Sequence, residues 1–204
     1  MIIHPPKFIK RLFPSFIWNF PQEKDSIFLT FDDGPCPDVT PWVLDQLDKY
    51  KAKATFFCIG KNVELYPGIY NEILKRGHRV GNHTYSHVRK GWSLDNDTYV
   101  RDVDMARQLI SSNLFRPPYA RIKRTQAYML SFRFKIIMWT ILSRDYSRSL
   151  SGRKCAMNVI PHLYPGCIVV FHDSLKSSKN LKYALPLVLQ AAKNRNLKCK
   201  SISI

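Results

Sequence analysis

Ile27-Phe28-Leu29-Thr30-Phe31-Asp32-Asp33-Gly34-Pro35 is the stretch on which the reading of this chain turns. Five apolar or β-branched residues run into two adjacent carboxylates, and a Gly-Pro pair then turns the chain. A continuous apolar run bounded by turn residues predicts a buried strand over 27–31. α/β folds build their sites at the C-terminal ends of such strands, which is where Asp32 and Asp33 stand. Asp-Asp-Gly-Pro is also a good turn sequence, and the downstream residues decide between the two.

After this strand the pattern predicts a helix over 40–51, with Thr40 as its cap and Pro41 in its first turn. A strand over 54–59, a helix over 62–76 broken at Pro67-Gly68, and a short strand over 78–82 come next. Helices are predicted over 96–110, 122–131, 153–160 and 181–193, the last despite Pro186. Strands are predicted over 114–116, 134–140, 166–172 and 198–204. Strands alternating with helices at this spacing mean parallel βαβ units. Seven strands in roughly 180 residues suit a distorted, incomplete (β/α) barrel better than an open sheet.

The 204 residues, with 45% hydrophobic and 23% charged, suit one globular domain and exclude a disordered chain. The expected organisation is a basic, aromatic N-terminal extension over 1–23 followed by the folded domain over 24–204. A formal charge of +17 points to an anionic polymer or a membrane surface as a neighbour. The basic residues are spread along the chain without a nucleic-acid motif, which argues against that partner. Cys36, Cys58, Cys155, Cys167 and Cys199 form no C-x-x-C pair and read as reduced thiols. Together with the lack of a signal-peptide pattern or a spanning apolar run, this predicts a cytoplasmic protein. The stretch 7–20 could lie on a membrane surface, but Pro14 and Pro21 interrupt it, and packing against the rest of the domain is the expected fate.

Three further stretches carry chemistry. His83 and His87, four apart, can face one point, and with Asp33 they form two imidazoles and a carboxylate, a set that holds Zn²⁺ or a similar divalent ion. Two solvated loop histidines are the alternative for the spacing taken alone. In Arg116-Pro117-Pro118-Tyr119 the prolines remove two donors and fix the direction of the Tyr119 amide, as an oxyanion requires. Arg116 at the same mouth could pair with Asp32. His172 ends another predicted strand, and Asp145 is available to orient it. His4, His78 and His162 fall at strand starts or in turns and are assigned no chemistry.

These stretches, in this order from about residue 24 to the C-terminus, resemble the polysaccharide deacetylase family, carbohydrate esterase family four, which shares the NodB homology domain. The resemblance implies a distorted, incomplete (β/α) barrel and a metal-dependent hydrolase that removes N-acetyl groups from an amino-sugar glycan such as chitooligosaccharide or peptidoglycan. It implies Asp32 as general base, and Asp33, His83 and His87 as ligands of one divalent ion, Zn²⁺ with Co²⁺, Ni²⁺ or Mn²⁺ as substitutes. Arg116 would hold Asp32, the Tyr119 amide would face the oxyanion, and His172, tuned by Asp145, would be the general acid. Trp139 and Val170 would receive the acetyl methyl, with Pro118 and Tyr146 completing the pocket. Three positions depart from the family pattern. Ala120 replaces a glycine and so calls for negative φ or strain, Thr140 stands where an acid is common, and Tyr146 replaces a tryptophan. Hydrolysis of a non-sugar linear amide, or a silent glycan-binding module, are the competing readings.

Overall fold

The computed structural model describes residues 3–204. Its elements in chain order are α1 (Lys7–Leu12), β1 (Ser26–Asp32), α2 (Thr40–Lys49), β2 (Ala54–Cys58), α3 (Gly60–Leu65), α4 (Pro67–Lys75), β3 (Arg79–Asn82), α5 (Asn96–Leu109), β4 (Leu114–Phe115), α6 (Arg124–Ser131), β5 (Lys135–Ile136), β6 (Ile141–Leu142), α7 (Gly152–Val159), β7 (Ile168–His172), α8 (Ser178–Asn194) and β8 (Lys198–Cys199). The sheet runs β5-β4-β3-β2-β1-β7-β6, with β8 added beside the start of β1. Every ladder between these strands is parallel. The incomplete (β/α) barrel expected from the strand count is the fold of this chain.

β1 lies inside the sheet between β2 and β7 and is buried along its whole length. Its alternate residues part into two layers, as the period of two requires. Ile27, Leu29 and Phe31 join Phe56, Val169 and Phe171 in the layer between sheet and helices. Phe28 joins Phe57, Ile168 and Ile137 in the barrel interior. Thr30 and Asp32 continue that interior face upward, and the register sets Thr30 beside Val170 and Asp32 beside His172. The interior therefore changes from aromatic floor to titratable rim within two residue layers.

Two predicted strands are corrected in extent. The run over 134–140 contributes only Lys135–Ile136 to the ladder beside β4. The chain then stays extended but changes partners: Ile137 N–H donates to Phe115 at 2.8 Å, Met138 N–H to Ile17 at 2.8 Å, and Thr140 N–H to Ile168 at 3.0 Å. Ile141–Leu142 pairs with β7 as an additional strand. The two ends of the sheet are thus two ends of one extended run, which crosses the gap in the barrel. At the C-terminus only Lys198–Cys199 pairs, in place of the predicted 198–204.

Phe16, Trp18 and Phe20 are buried, and Phe20 N–H donates to the Gly166 carbonyl at 2.9 Å, so this part of the N-terminal segment packs into the barrel. The short helix α1 before it was not predicted. α8 passes through Pro186 without ending, because Leu181, Ala184, Leu185, Val188 and Leu189 give it a continuous buried stripe.

Candidate active site

Asp32, the last residue of β1, is held from below by Arg116, which follows β4. Arg116 is fully buried and spends its guanidinium on four acceptors: Asp32 Oδ1 at 2.7 Å, Thr30 Oγ1 at 2.8 Å, and the Ile137 and Met138 carbonyls at 3.1 and 2.9 Å. Its guanidinium carbon also lies 4.1 Å from the centre of the Phe57 ring. Burial pulls the Arg116 pKa down, and Asp32 works against that pull. Removing one partner of such a pair strands the other charge in the interior. Arg116→Met is therefore expected to cost about 3–5 kcal/mol in urea unfolding; a loss of well under ~1 kcal/mol would mean that the pair is not sealed from water.

Asp33 lies just past the strand with φ of 82°. Its Oδ1 is 3.2 Å from His87 Nε2 and 3.7 Å from His83 Nε2. One donor atom from each of the three lies within 4.8 Å of the other two. His83 Nδ1–H donates to the Arg116 carbonyl at 2.7 Å, which fixes the tautomer and turns Nε2 toward Asp33. Burial pushes the His83 pKa down to about 4, so the ring stays neutral, as a ligand must. Burial pushes Asp33 up, but the His87 hydrogen bond and three nearby imidazoles outweigh it and hold the carboxyl well below the usual range. Two imidazoles, one carboxylate and a second-layer carbonyl match the donor set and outer shell of a divalent-ion site with open positions.

Strain collects around this rim. Thr84, His87, Tyr119, Ala120 and Arg144 share the positive φ of Asp33; a non-glycine residue takes that conformation only where its surroundings impose it. Ala120 has φ of 58°, so the departure from glycine is accommodated by strain. Ala120→Gly is expected to gain about 0.5–1 kcal/mol of stability, read from the unfolding midpoint; a loss of stability would show that the methyl, packed on the α5–α6 cluster, outweighs the backbone term.

Pro118 is buried, and the Tyr119 ring rests against His87 with centroids 4.9 Å apart. Ala120 and Arg121 spend their amides on the Pro117 and Pro118 carbonyls at 3.1 and 3.0 Å. Opposite, His172 Nδ1–H donates to Asp145 Oδ1 at 2.8 Å, and the His172 backbone N–H donates to Asp145 Oδ2 at 2.8 Å. Asp145 is fully buried and also accepts from Ser143 Oγ and the Tyr146 amide. Burial alone would lower the His172 pKa, but Asp145, with Asp33 and Asp32, raises it to about 9. Tyr146 meets the His172 ring edge-on at 5.0 Å. Val170 lies one interior layer below His172, and Trp139 packs on the interior cluster. The Thr140 hydroxyl is tied to the Ile168 backbone, so no acid stands there.

One carboxylate was not assigned from sequence. Asp173 is fully buried and accepts from the Gly34 amide at 3.1 Å and from Thr40 Oγ1 at 2.6 Å, so it pins the turn that carries Asp33. A Cβ on Gly34 would lie 2.0 Å from Asp173 Oδ2, which explains the glycine. Thr40, expected to cap α2, is instead its first residue and accepts from the Cys36 amide at 2.8 Å. Asn62 secures the same turn from the other side, donating to the Asp33 carbonyl at 2.8 Å. The Asp that directly follows a strand-terminal histidine was the available signal. A groove of about 510 Å³ opens beside His87, lined by Val88, Arg89, Lys90 and Leu94 among others.

Known proteins share this arrangement of sequence and fold. The family model described as polysaccharide deacetylase matches residues 20–132. A peptidoglycan-N-acetylglucosamine deacetylase of Bacillus cereus is 32% identical over 194 residues, covering 91% of this chain and 90% of its own length. A second protein of that name from Bacillus cereus is 31% identical over 167 residues and 78% of this chain, which spans 60% of that relative's length. The crystal structure of a peptidoglycan N-acetylglucosamine deacetylase superposes with a TM-score of 0.87 at 27% identity, over 97% of this chain and 95% of that one. On the matched family model, the length of these alignments and the shared half-barrel, the chain belongs to the polysaccharide deacetylase family.

Proposed function

We propose that this protein is a metal-dependent hydrolase that removes acetyl groups from an N-acetylglucosamine-containing glycan, peptidoglycan or chitooligosaccharide, and releases acetate. The observation that carries the reading is the gathering of a carboxylate pair, two imidazoles and an Asp-tuned histidine at one barrel mouth. Asp33, His83 and His87 would hold the ion, with Zn²⁺ as the first choice for that donor set. When bound, such an ion supplies a Lewis acid that polarises an acyl oxygen and acidifies water. Asp32, oriented by Arg116, takes the proton of the attacking water. The Tyr119 N–H, following two residues that have none, donates to the developing oxyanion. His172, protonated below about pH 9, delivers a proton from Nε2 to the departing amine while Asp145 stabilises the imidazolium. Val170, Trp139, Pro118 and Tyr146 exclude water around the acetyl methyl.

The names of the Bacillus cereus relatives support the glycan. The five free cysteines support a reducing, cytoplasmic setting as part of the same proposal. In that setting the acetylated sugar would be a peptidoglycan fragment, a chitooligosaccharide or a lipid-linked precursor. The test is acetate release by the metal-supplied chain from peptidoglycan fragments, chitooligosaccharides, an acetylated lipid-linked sugar and a non-sugar linear amide. Turnover of one or more of the glycans is expected. Turnover of the linear amide alone, or of nothing on the panel, overturns the reading.

A further inference from the structure

The acids of this chain are segregated. No Asp or Glu precedes Glu23, and none occurs between Asp104 and Asp145. The first of these acid-free stretches contains α1 and the second contains α6. Both helices border one apolar cluster: Ile9 and Phe13 pack against it, and Ala127 and Leu130 lie in it. Arg124 ties them together, donating from Nη2 to the Leu12 carbonyl at 3.4 Å and lying 5.8 Å from the centre of the Phe13 ring.

Both helices also present apolar side chains to water. Phe8 is 61% exposed and Leu12 47%; Tyr128 is 68% exposed and Phe132, just past the end of α6, 74%. Each pair is four residues apart and so lines one helix face. Arg124, Tyr128 and Phe132 continue a single stripe at that spacing, and the two rings meet edge to face at 5.1 Å. Lys10 and Arg11 close the last turn of α1, and neither helix carries an acid. At the far edge Arg133 is already paired with Asp104 at 2.9 Å.

An apolar centre with a basic border, whose one acid at the far edge is held by Arg133, is complementary to a bilayer surface bearing anionic headgroups. Aromatic and aliphatic side chains sink to the acyl boundary while Lys and Arg stay level with the phosphates. A second copy of the chain is a poor occupant, since two like faces without acids repel. We infer that the α1–α6 face docks this protein on an anionic lipid surface. The contact is peripheral, for no described helix is long and apolar enough to cross a membrane.

Flotation of the full chain with vesicles tests this, using phosphatidylcholine alone and phosphatidylcholine mixed with phosphatidylglycerol. Binding is expected to the mixed vesicles and not to the neutral ones. Tyr128→Ser with Phe132→Ser should lower the partition coefficient by about tenfold or more, and Arg11→Glu should lower it in the same direction. Unchanged far-UV circular dichroism shows that the variants fold. Equal binding to both vesicle types overturns the inference. So does binding that the serine pair leaves intact and salt alone removes, because the general charge of +17 would produce that without the face. Dimerisation abolished by the serine pair also overturns it, by placing a second copy there.

Discussion

Asp32→Asn is expected to leave bound metal unchanged and to cut turnover by about 10²–10⁴-fold. The amide is nearly isosteric, and its oxygen can still accept from Arg116 Nη1, which lies 2.7 Å from Asp32 Oδ1 in the native chain. The variant loses the capacity to take a proton, and with it the negative charge that faces Arg116. Asp33, His83 and His87 would supply the ligand atoms without Asp32, so occupancy should not follow activity. The measurement is kcat beside metal content, with circular dichroism as a control for the disturbed Arg116 pair. Ordinary turnover in a metal-replete Asp32→Asn variant would move the base to another group.

His172 and Asp145 should behave as one unit. With the His172 pKa raised to about 9, the proton donor is present below that pH and lost above it, so the rate should fall as pH rises through about 9. Asp145→Asn removes the strongest influence raising that pKa and leaves the burial that lowers it, so the alkaline limb should move to lower pH. His172→Ala should abolish the limb and lower kcat by about 10²–10⁴-fold. Adding Asp145→Asn to it should cost little more. Stability follows the same sign. A histidine whose folded pKa lies above its unfolded value of about 6.5 stabilises the native state fully below that value, and the contribution is lost as pH rises through the folded pKa. The thermal midpoint of the native chain should therefore fall between about pH 6.5 and 9 by more than that of Asp145→Asn. An alkaline limb that stays in place in Asp145→Asn, or losses that multiply independently, would assign the acid elsewhere.

The parts of this chain that were legible in sequence are those decided by local pattern. β1, β2 and β7 are continuous apolar runs because both faces of a parallel strand are covered, and all three lie where predicted. Asp32, Asp33, His83, Arg116 and His172 all follow or end such strands, so placing the strands also placed those side chains at one mouth. The closing run was not legible. Residues 135–142 read as one strand and an irregular segment, because the pattern says nothing of a chain that leaves β4 and joins β7 midway. α1 was missed because six residues between prolines give too little periodicity, and tertiary packing of Ile9 and Phe13 decides its conformation. The position of Asp173 after His172 marked the residue, but its role depends on Gly34 and Thr40, more than a hundred residues away in sequence, and the local pattern does not carry those contacts. The positive φ at Ala120 was anticipated only as an alternative to a shifted backbone.

The proposed chemistry depends above all on Asp33, His83 and His87 holding one divalent ion that the reaction requires. The metal content of the purified, zinc-dialysed chain, beside that of His83→Ala and His87→Ala, tests this at its source, with each protein checked for a folded barrel by circular dichroism. One equivalent is expected in the native chain, with its loss from both variants without unfolding. Full stoichiometric retention in both single variants would contradict the assignment of the ion to these three residues.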